Sequence, residues 1–281
     1  MGTLYLVATP IGNLQDISLR AVQLLGEVRL IAAEDTRHTA KLLAHYQIQA
    51  QLTSYHEHNK IDKLPYLLAA LAEGDVALVS DAGTPGLNDP GYELVRAAVS
   101  AGYPVSPVPG PSAPLAALTV SGLPSDAFLY LGYLPRKTKE RRTSLEEVAG
   151  YPYTLIFLET PHRLMAALAD LRQVLGNRQA AVARELTKLH EEIFRGSLDE
   201  AILHFEVQPP RGEITLVVAG QTTRQERWSE AQLEQAIRER LANGEPAAHS
   251  AARLAAQSGW PRRIIYQMIL SQSTPIPGED E

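Results

Sequence analysis

Residues Asp75–Gly91 read DVALVSDAGTPGLNDPG, and the junction inside this stretch decides the fold. The run DVALV (Asp75–Val79) is short, apolar and rich in valine, as a strand buried on both faces requires. At Ser80 it opens into a turn of twelve residues, five of them Gly or Pro and two of them aspartates. Gly83, Gly86 and Gly91 permit positive φ and let another group approach the backbone, while Pro85 and Pro90 restrict the alternatives. Two readings follow: an ordinary βα turn leading to a helix N-cap near Asp89, or one wall of a ligand site.

Outward from this junction the same rhythm repeats. Apolar runs recur at Leu4–Ala8, Arg29–Ala33, Gln51–Tyr55, Asp75–Val79 and Pro104–Val108. Helix-like segments lie between them, such as Ser18–Glu27, Lys63–Gly74 and Gly91–Gly102, the last two ending on glycines where a C-cap belongs. The spacing predicts βα units and a mostly parallel sheet, in which ligands gather beyond the carboxyl ends of the strands. Five unusual turns stand at those ends: TPIGN (Thr9–Asn13), EDTRH (Glu34–His38), HEHN (His56–Asn59), DAGTPG (Asp81–Gly86) and PGPSAP (Pro109–Pro114). Neither the dinucleotide fingerprint G-x-G-x-x-G nor a P-loop is present. The turns carry carboxylates and hydroxyls in place of lysine, which favours a neutral or cationic small molecule over a polyphosphate.

Composition bounds the rest. The chain has 281 residues, 45% hydrophobic and 21% charged, enough for two cores. It has no cysteine, which excludes disulfides, thiolate catalysis and cysteine metal sites. No apolar run reaches the length of a membrane span and the N-terminus lacks a basic signal region, so a cytoplasmic protein is expected. The formal net charge of −6 leaves nucleic-acid binding open, because local clustering of basic residues governs it.

Three segments are expected: an α/β domain over residues 1–120, a second α/β domain with a mixed sheet over 121–222, and a helical module over 229–272. TVSGLPSD (Thr119–Asp126) reads as the linker between the first two. Strand-like runs follow at Ala127–Leu134, Tyr153–Leu158, Ala180–Thr187 and Gly212–Gly220, with a helix over Pro161–Gly176. From Ser229 three short helices, broken at Gly244 and Gly259, have helix-turn-helix proportions or form a simple packing cap; STPIPGEDE (Ser273–Glu281) reads as a frayed acidic tail.

The motifs VATPIGNLQDISLRA, EDTR, HEHN, SDAGTPGLNDPG, PGPSA, LETPHR, ARELTK, FRGSL and RGEITLVVAG stand in one order along almost the whole chain. In that order they resemble the ribosomal RNA small subunit methyltransferase I family, cytidine 2′-O-methyltransferases within the tetrapyrrole methylase superfamily. The resemblance implies a tetrapyrrole methylase-like fold with S-adenosylmethionine in a cleft between two α/β domains. It implies a decoding-centre cytidine of 16S rRNA as acceptor, and a homodimer. It places Pro10, Gly12, Asp81, Ala82, Gly83, Thr84, Pro85, Gly110 and Ser112 beside the cofactor, with the glycines leaving backbone groups within its reach. Superfamily members acting on tetrapyrroles often carry Gly-Asp-Pro where this chain has Gly83-Thr84-Pro85, a departure that favours the rRNA branch.

Transfer to a 2′-hydroxyl calls for a base, for which Asp35, His56 and Glu159 are the candidates, with His58, His162 and Glu185 nearby in the motifs. Arg37, His58 and Arg163 are candidates for holding RNA. RKTKERR (Arg136–Arg142) has five basic residues against Glu140, and Arg136, Lys137, Arg141 and Arg142 are expected to anchor phosphates, with Arg253, Arg262 and Arg263 as the alternative. His56 and His58, at i and i+2 without further spaced ligands, are a weak zinc signal, and no metal is expected. A tetrapyrrole or other small-molecule methyltransferase, and a non-catalytic RNA-binding protein, remain as rival readings.

Overall fold

The computed structural model describes residues 2–221, 228–243 and 245–273. Gly244, the joining residues 222–227 and most of the stretch read as an acidic tail lie outside them. The chain divides into two compact units, Met1–Gln221 and Thr222–Glu281.

The first unit begins with β1 (Leu4–Val7), α1 (Leu19–Glu27), β2 (Leu30–Ala33), α2 (Thr36–His45), β3 (Leu52–Ser54), α3 (Leu64–Glu73), β4 (Val76–Val79), α4 (Tyr92–Ser100), β5 (Val105–Val108) and α5 (Ala113–Ser121). The five strands form one parallel sheet in the order β3-β2-β4-β1-β5. β2 and β4 are buried at every position because helices cover both faces, which is why their sequences are unbroken apolar runs. Leu25, Ile31 and Val79 pack on one face, and Leu30, Leu71 and Leu94 on the other.

A second sheet follows, built from β6 (Phe128–Tyr133), β7 (Thr154–Glu159), β8 (Gln179–Arg184), β9 (Glu192–Ser197) and β10 (Ile214–Val218). Its helices are α6 (Thr138–Val148), α7 (Pro161–Leu175) and α8 (Leu198–Val207). The order is β6-β7-β10-β8-β9, parallel only between β6 and β7. The mixed sheet is as expected, but the edge strand β9, EIFRGS, carries no apolar run by which the sequence could announce it. The supposed linker also starts later: Thr119–Ser121 form the last turn of α5, which ends on Gly122 in the left-handed conformation.

The second unit is α9 (Glu230–Ala242), α10 (Ala247–Ser258) and α11 (Arg262–Ser273), closed around Leu233, Ile237, Ala251, Leu254, Ile265 and Ile269. Gly259 ends α10 in the left-handed region, as its place in the sequence suggests. Arg253 and Arg240 both pair with Glu245, while Arg262 and Arg263 are exposed.

Candidate functional site

The carboxyl ends of the first sheet are knotted together by their own loops. Thr9 N donates to Gly83 O at 2.9 Å and Gly83 N to Thr9 O at 3.0 Å, an isolated bridge between the first and fourth turns. The Thr9 hydroxyl donates to Ser80 O, and the Thr84 hydroxyl reaches Pro111 O in the fifth turn at 3.2 Å. The second turn joins through Asp35 N, which donates to Asp81 Oδ1 at 3.0 Å.

This knot forms the floor of a cavity of about 240 Å³ facing the second sheet. Asp81, Ala82, Gly83, Thr84 and Ser112 line it, as the resemblance implies, together with Ile11, Ala113, Leu158 and Ile214. Four carboxylates border it, Glu34, Asp81, Asp89 and Glu213, and no lysine or arginine among the described residues lines it. Burial, then the neighbouring Asp81 charge, pushes the Glu34 carboxyl up. Burial and the charge of Glu34 push Asp89 up to about 6. Burial lifts the Tyr130 phenol to about 12, with Asp89 adding to the effect. An enclosure that resists gathering its own negative charges is complementary to a cation.

Sequence reasoning did not single out Glu34, Asp89, Tyr130, Tyr133 or Glu213 as site residues. The two tyrosines are three apart, which in a regular strand sets them on opposite faces. A register shift between Tyr130 and Gly132 breaks that alternation, and both line the cavity. Gly132 holds φ +64, and a Cβ there would lie 2.7 Å from Asn88 Oδ1, so the fourth turn rests against the bulge. The bulge is legible only as LGY inside an apolar run.

The glycines act differently from expectation. Gly83 has φ +83, but Thr9 occupies both its N–H and its C=O, so that residue offers a ligand no free backbone group. Gly12 does not line the cavity; a Cβ on it would meet Leu186 O at 2.7 Å and Thr187 Oγ1 at 2.9 Å. Gly110 packs on Ala8, where a Cβ would stand 3.0 Å from the Ala8 Cβ. Pro85 is buried away from the cavity lining, and Pro10 lines a neighbouring one.

Several proposed catalytic and RNA-binding residues are engaged otherwise. Asp35 caps α2 and takes two hydrogen bonds from the Arg37 side chain, which hold its carboxyl far below the usual carboxylate range and make it a poor base. Arg37 remains 87% exposed beside it. Glu159 is buried, with one oxygen paired to Arg163 Nε at 3.1 Å and the other without a partner. Arg163 also donates to Leu134 O and Pro135 O, so its guanidinium is tied within the second sheet's surroundings rather than open to phosphate. Arg141 is only 4% exposed and donates to Asp170 Oδ2 at 2.7 Å and to the carbonyls of Pro135 and Arg136. It is a structural ion pair and not a phosphate anchor. Arg142 shares Asp170, Lys137 pairs with Glu140 on the surface, and Arg136 is exposed.

His56 is half-buried and its Nδ1 makes no hydrogen bond; His58 is exposed 6.0 Å away, centroid to centroid. His162 touches the Thr160 hydroxyl, and Glu185 binds Lys188 and Glu213 N. Among the described residues no three His, Cys, Asp or Glu side chains converge as a metal site would require, and no helix is long and apolar enough to cross a membrane.

The family model of the tetrapyrrole (corrin/porphyrin) methylases matches residues 3–202. The ribosomal RNA small subunit methyltransferase I of Synechocystis sp. is 49% identical over 273 residues, covering 96% of this chain and 98% of that protein. The crystal structure of the methyltransferase CobJ superposes with a TM-score of 0.60 at 20% identity, over 80% of this chain and 96% of that one. The uroporphyrin-III C-methyl transferase from Thermus thermophilus, complexed with S-adenyl homocysteine, gives 0.53 at 22% identity over 77% and 97%.

Proposed function

The chain belongs to the tetrapyrrole (corrin/porphyrin) methylase family, and from that premise we propose that it is an S-adenosylmethionine-dependent methyltransferase of small-subunit ribosomal RNA. The observation that carries the reading is identity near one half, almost end to end, with a protein named for that activity. The acceptor in this reading is the 2′-oxygen of a decoding-centre cytidine of 16S rRNA, and the enzyme acts in the cytoplasm as a homodimer without a metal. Tyr92 and Val99, exposed two turns apart on one face of α4, support self-association.

The cavity suits the cofactor. S-adenosylmethionine, when bound, supplies a methyl group already activated on a positively charged sulfur. Glu34, Asp81, Asp89 and Glu213 complement positive charge, Thr84 and Ser112 offer hydroxyls, and Ile11, Ala113 and Leu158 offer apolar walls for an adenosine. Held there, the cofactor would present its methyl group to a ribose oxygen, and the chain's own task would be to align the two and to take up the hydroxyl proton. Alignment of the two reactants by a rigid site can supply roughly 7–11 kcal/mol of the barrier. The hydrogen-bonded loop knot provides that rigidity.

Purified protein with labelled S-adenosylmethionine and small ribosomal subunits tests the reading, the RNA then being digested to nucleosides for mass spectrometry. Methyl on the ribose of cytidine is the expected product. Methyl on the base would refute the acceptor atom, and label entering only a tetrapyrrole would refute the RNA substrate.

A further inference from the structure

A second cavity, of about 220 Å³, lies at the same edge of the first sheet, between the turn after β1 and helix α2. Resting on the reading of the acidic cavity as the methyl-donor site, we propose that this second cavity receives the base and ribose of the acceptor nucleotide, splayed out of single-stranded RNA.

Position supports the assignment first. Asp81 lines both cavities, and the Thr9–Gly83 bridge runs between them, with Thr9 on the wall of one and Gly83 on the wall of the other. Two reactants that must meet in line are thereby given adjoining compartments. The partition is stiff, because Thr9 also holds Ser80 O and Tyr46 holds Leu14 O through its hydroxyl.

The chemistry of the lining is also different. Where the donor cavity is acidic, this one has Pro10, Leu14 and Leu42 as apolar walls, with His38 and Lys41 contributed by α2. Arg37 and Lys41, four apart, share a face of that helix, and both are exposed. An apolar slot with a cationic rim is what an unstacked nucleobase with flanking phosphates needs.

Substitutions at two positions of the intact chain test this. Leu14 is half-exposed, so Leu14→Trp fills the slot without removing core. Lys41→Glu reverses a rim charge, and Lys41→Arg restores it. Small subunits serve as substrate, and S-adenosylmethionine affinity is followed separately by calorimetry. Donor affinity is expected within about twofold of wild type for every variant. Leu14→Trp is expected to lower kcat/KM for RNA by about 10²-fold, the cost of misplacing a reactant by an ångström or so. Lys41→Glu is expected to act on KM and to flatten the dependence of log KM on log salt by about 0.7 for the lost phosphate contact, with Lys41→Arg recovering both. Unchanged kcat/KM in both Leu14→Trp and Lys41→Glu would overturn the slot while leaving the donor site standing. Loss of donor affinity in Leu14→Trp equal to its loss of activity would overturn it too. A wild-type protein that binds donor yet methylates no RNA would sink the underlying reading, and this one with it.

Discussion

Thr9 and Gly83 exchange both of their backbone hydrogen bonds, at 2.9 and 3.0 Å, across 74 residues of chain. The pair fixes the first and fourth turns of the parallel sheet to each other, and it needs Gly83 at φ +83. The turn that decides the fold is therefore bare of side chains for the sake of this closure rather than to leave its own amide open. Gly83→Leu would impose a left-handed side chain at a cost of about 1–2 kcal/mol. It would also put bulk into the acidic cavity that Gly83 lines. S-adenosylmethionine affinity should fall at least about tenfold, by calorimetry, while thermal unfolding stays cooperative. Gly86→Ala, at φ +82 with open space around it, carries similar strain and should leave affinity unchanged. Equal losses in the two would refute the assignment.

Asp89 gives the acidic cavity a pH signature. Its carboxyl is raised from 3.8 to about 6, so the folded protein holds this proton more tightly than the unfolded chain. The associated stability is complete below about pH 4 and is lost as pH rises through about 6. Asp89→Asn should thus be more stable than wild type at pH 7.5 in the absence of ligand, with the advantage shrinking toward pH 4, in urea titrations across that range. Affinity for a cationic ligand should run the other way. It should rise from pH 5 to 7 in wild type and rise less in Asp89→Asn, where only the raised Glu34 carboxyl is left to titrate and where, at pH 7.5, a charged contact worth about 1.5–3 kcal/mol, or roughly 10- to 100-fold, is missing.

Arg141 should prove a stability residue. Removing one partner of a buried ion pair costs about 3–5 kcal/mol, because the other charge is left without compensation. Arg142 still touches Asp170, which places Arg141→Ala at the lower end of that range. The urea midpoint should drop accordingly and donor affinity should hold. A midpoint within error of wild type would mean that Asp170 is solvated in solution.

The exposed members of the same basic run should behave differently. Arg136→Ala with Lys137→Ala should leave the urea midpoint unchanged and reduce the salt dependence of RNA binding by about 0.7 per lost single-strand phosphate contact. An unaltered slope would move the anchor elsewhere, to the exposed Arg262 and Arg263 of α11 first.

The parallel sheet was legible because β2 and β4 are covered on both faces and can only be written as apolar runs. β9 was not, because an edge strand pairs on one side and tolerates EIFRGS, a sequence with little periodicity. The acidic cavity was half legible. Asp81, Gly83 and Thr84 lie in one unusual turn, but Glu34, just after β2, and Glu213, just before β10, reach it from the ends of strands in two different sheets. Tyr130 and Tyr133 arrive only through a bulge that reverses their apparent faces. Arg141 and Arg163 failed for one reason: a string of basic letters does not say which side chain will find a buried carboxylate on α7 or at the end of β7.

The hydrophobic clusters of the chain's two units are written in separate stretches of sequence. Every residue of the helical unit's centre lies between Leu233 and Ile269, and every other core cluster ends by Val218. A recombination break falling after Gln221 would therefore cut through neither. In the history of such a gene, a crossover at that point would carry each cluster over whole. The loops that meet at Thr9 and Gly83 have no such freedom, since a change in one turn is answerable to the other.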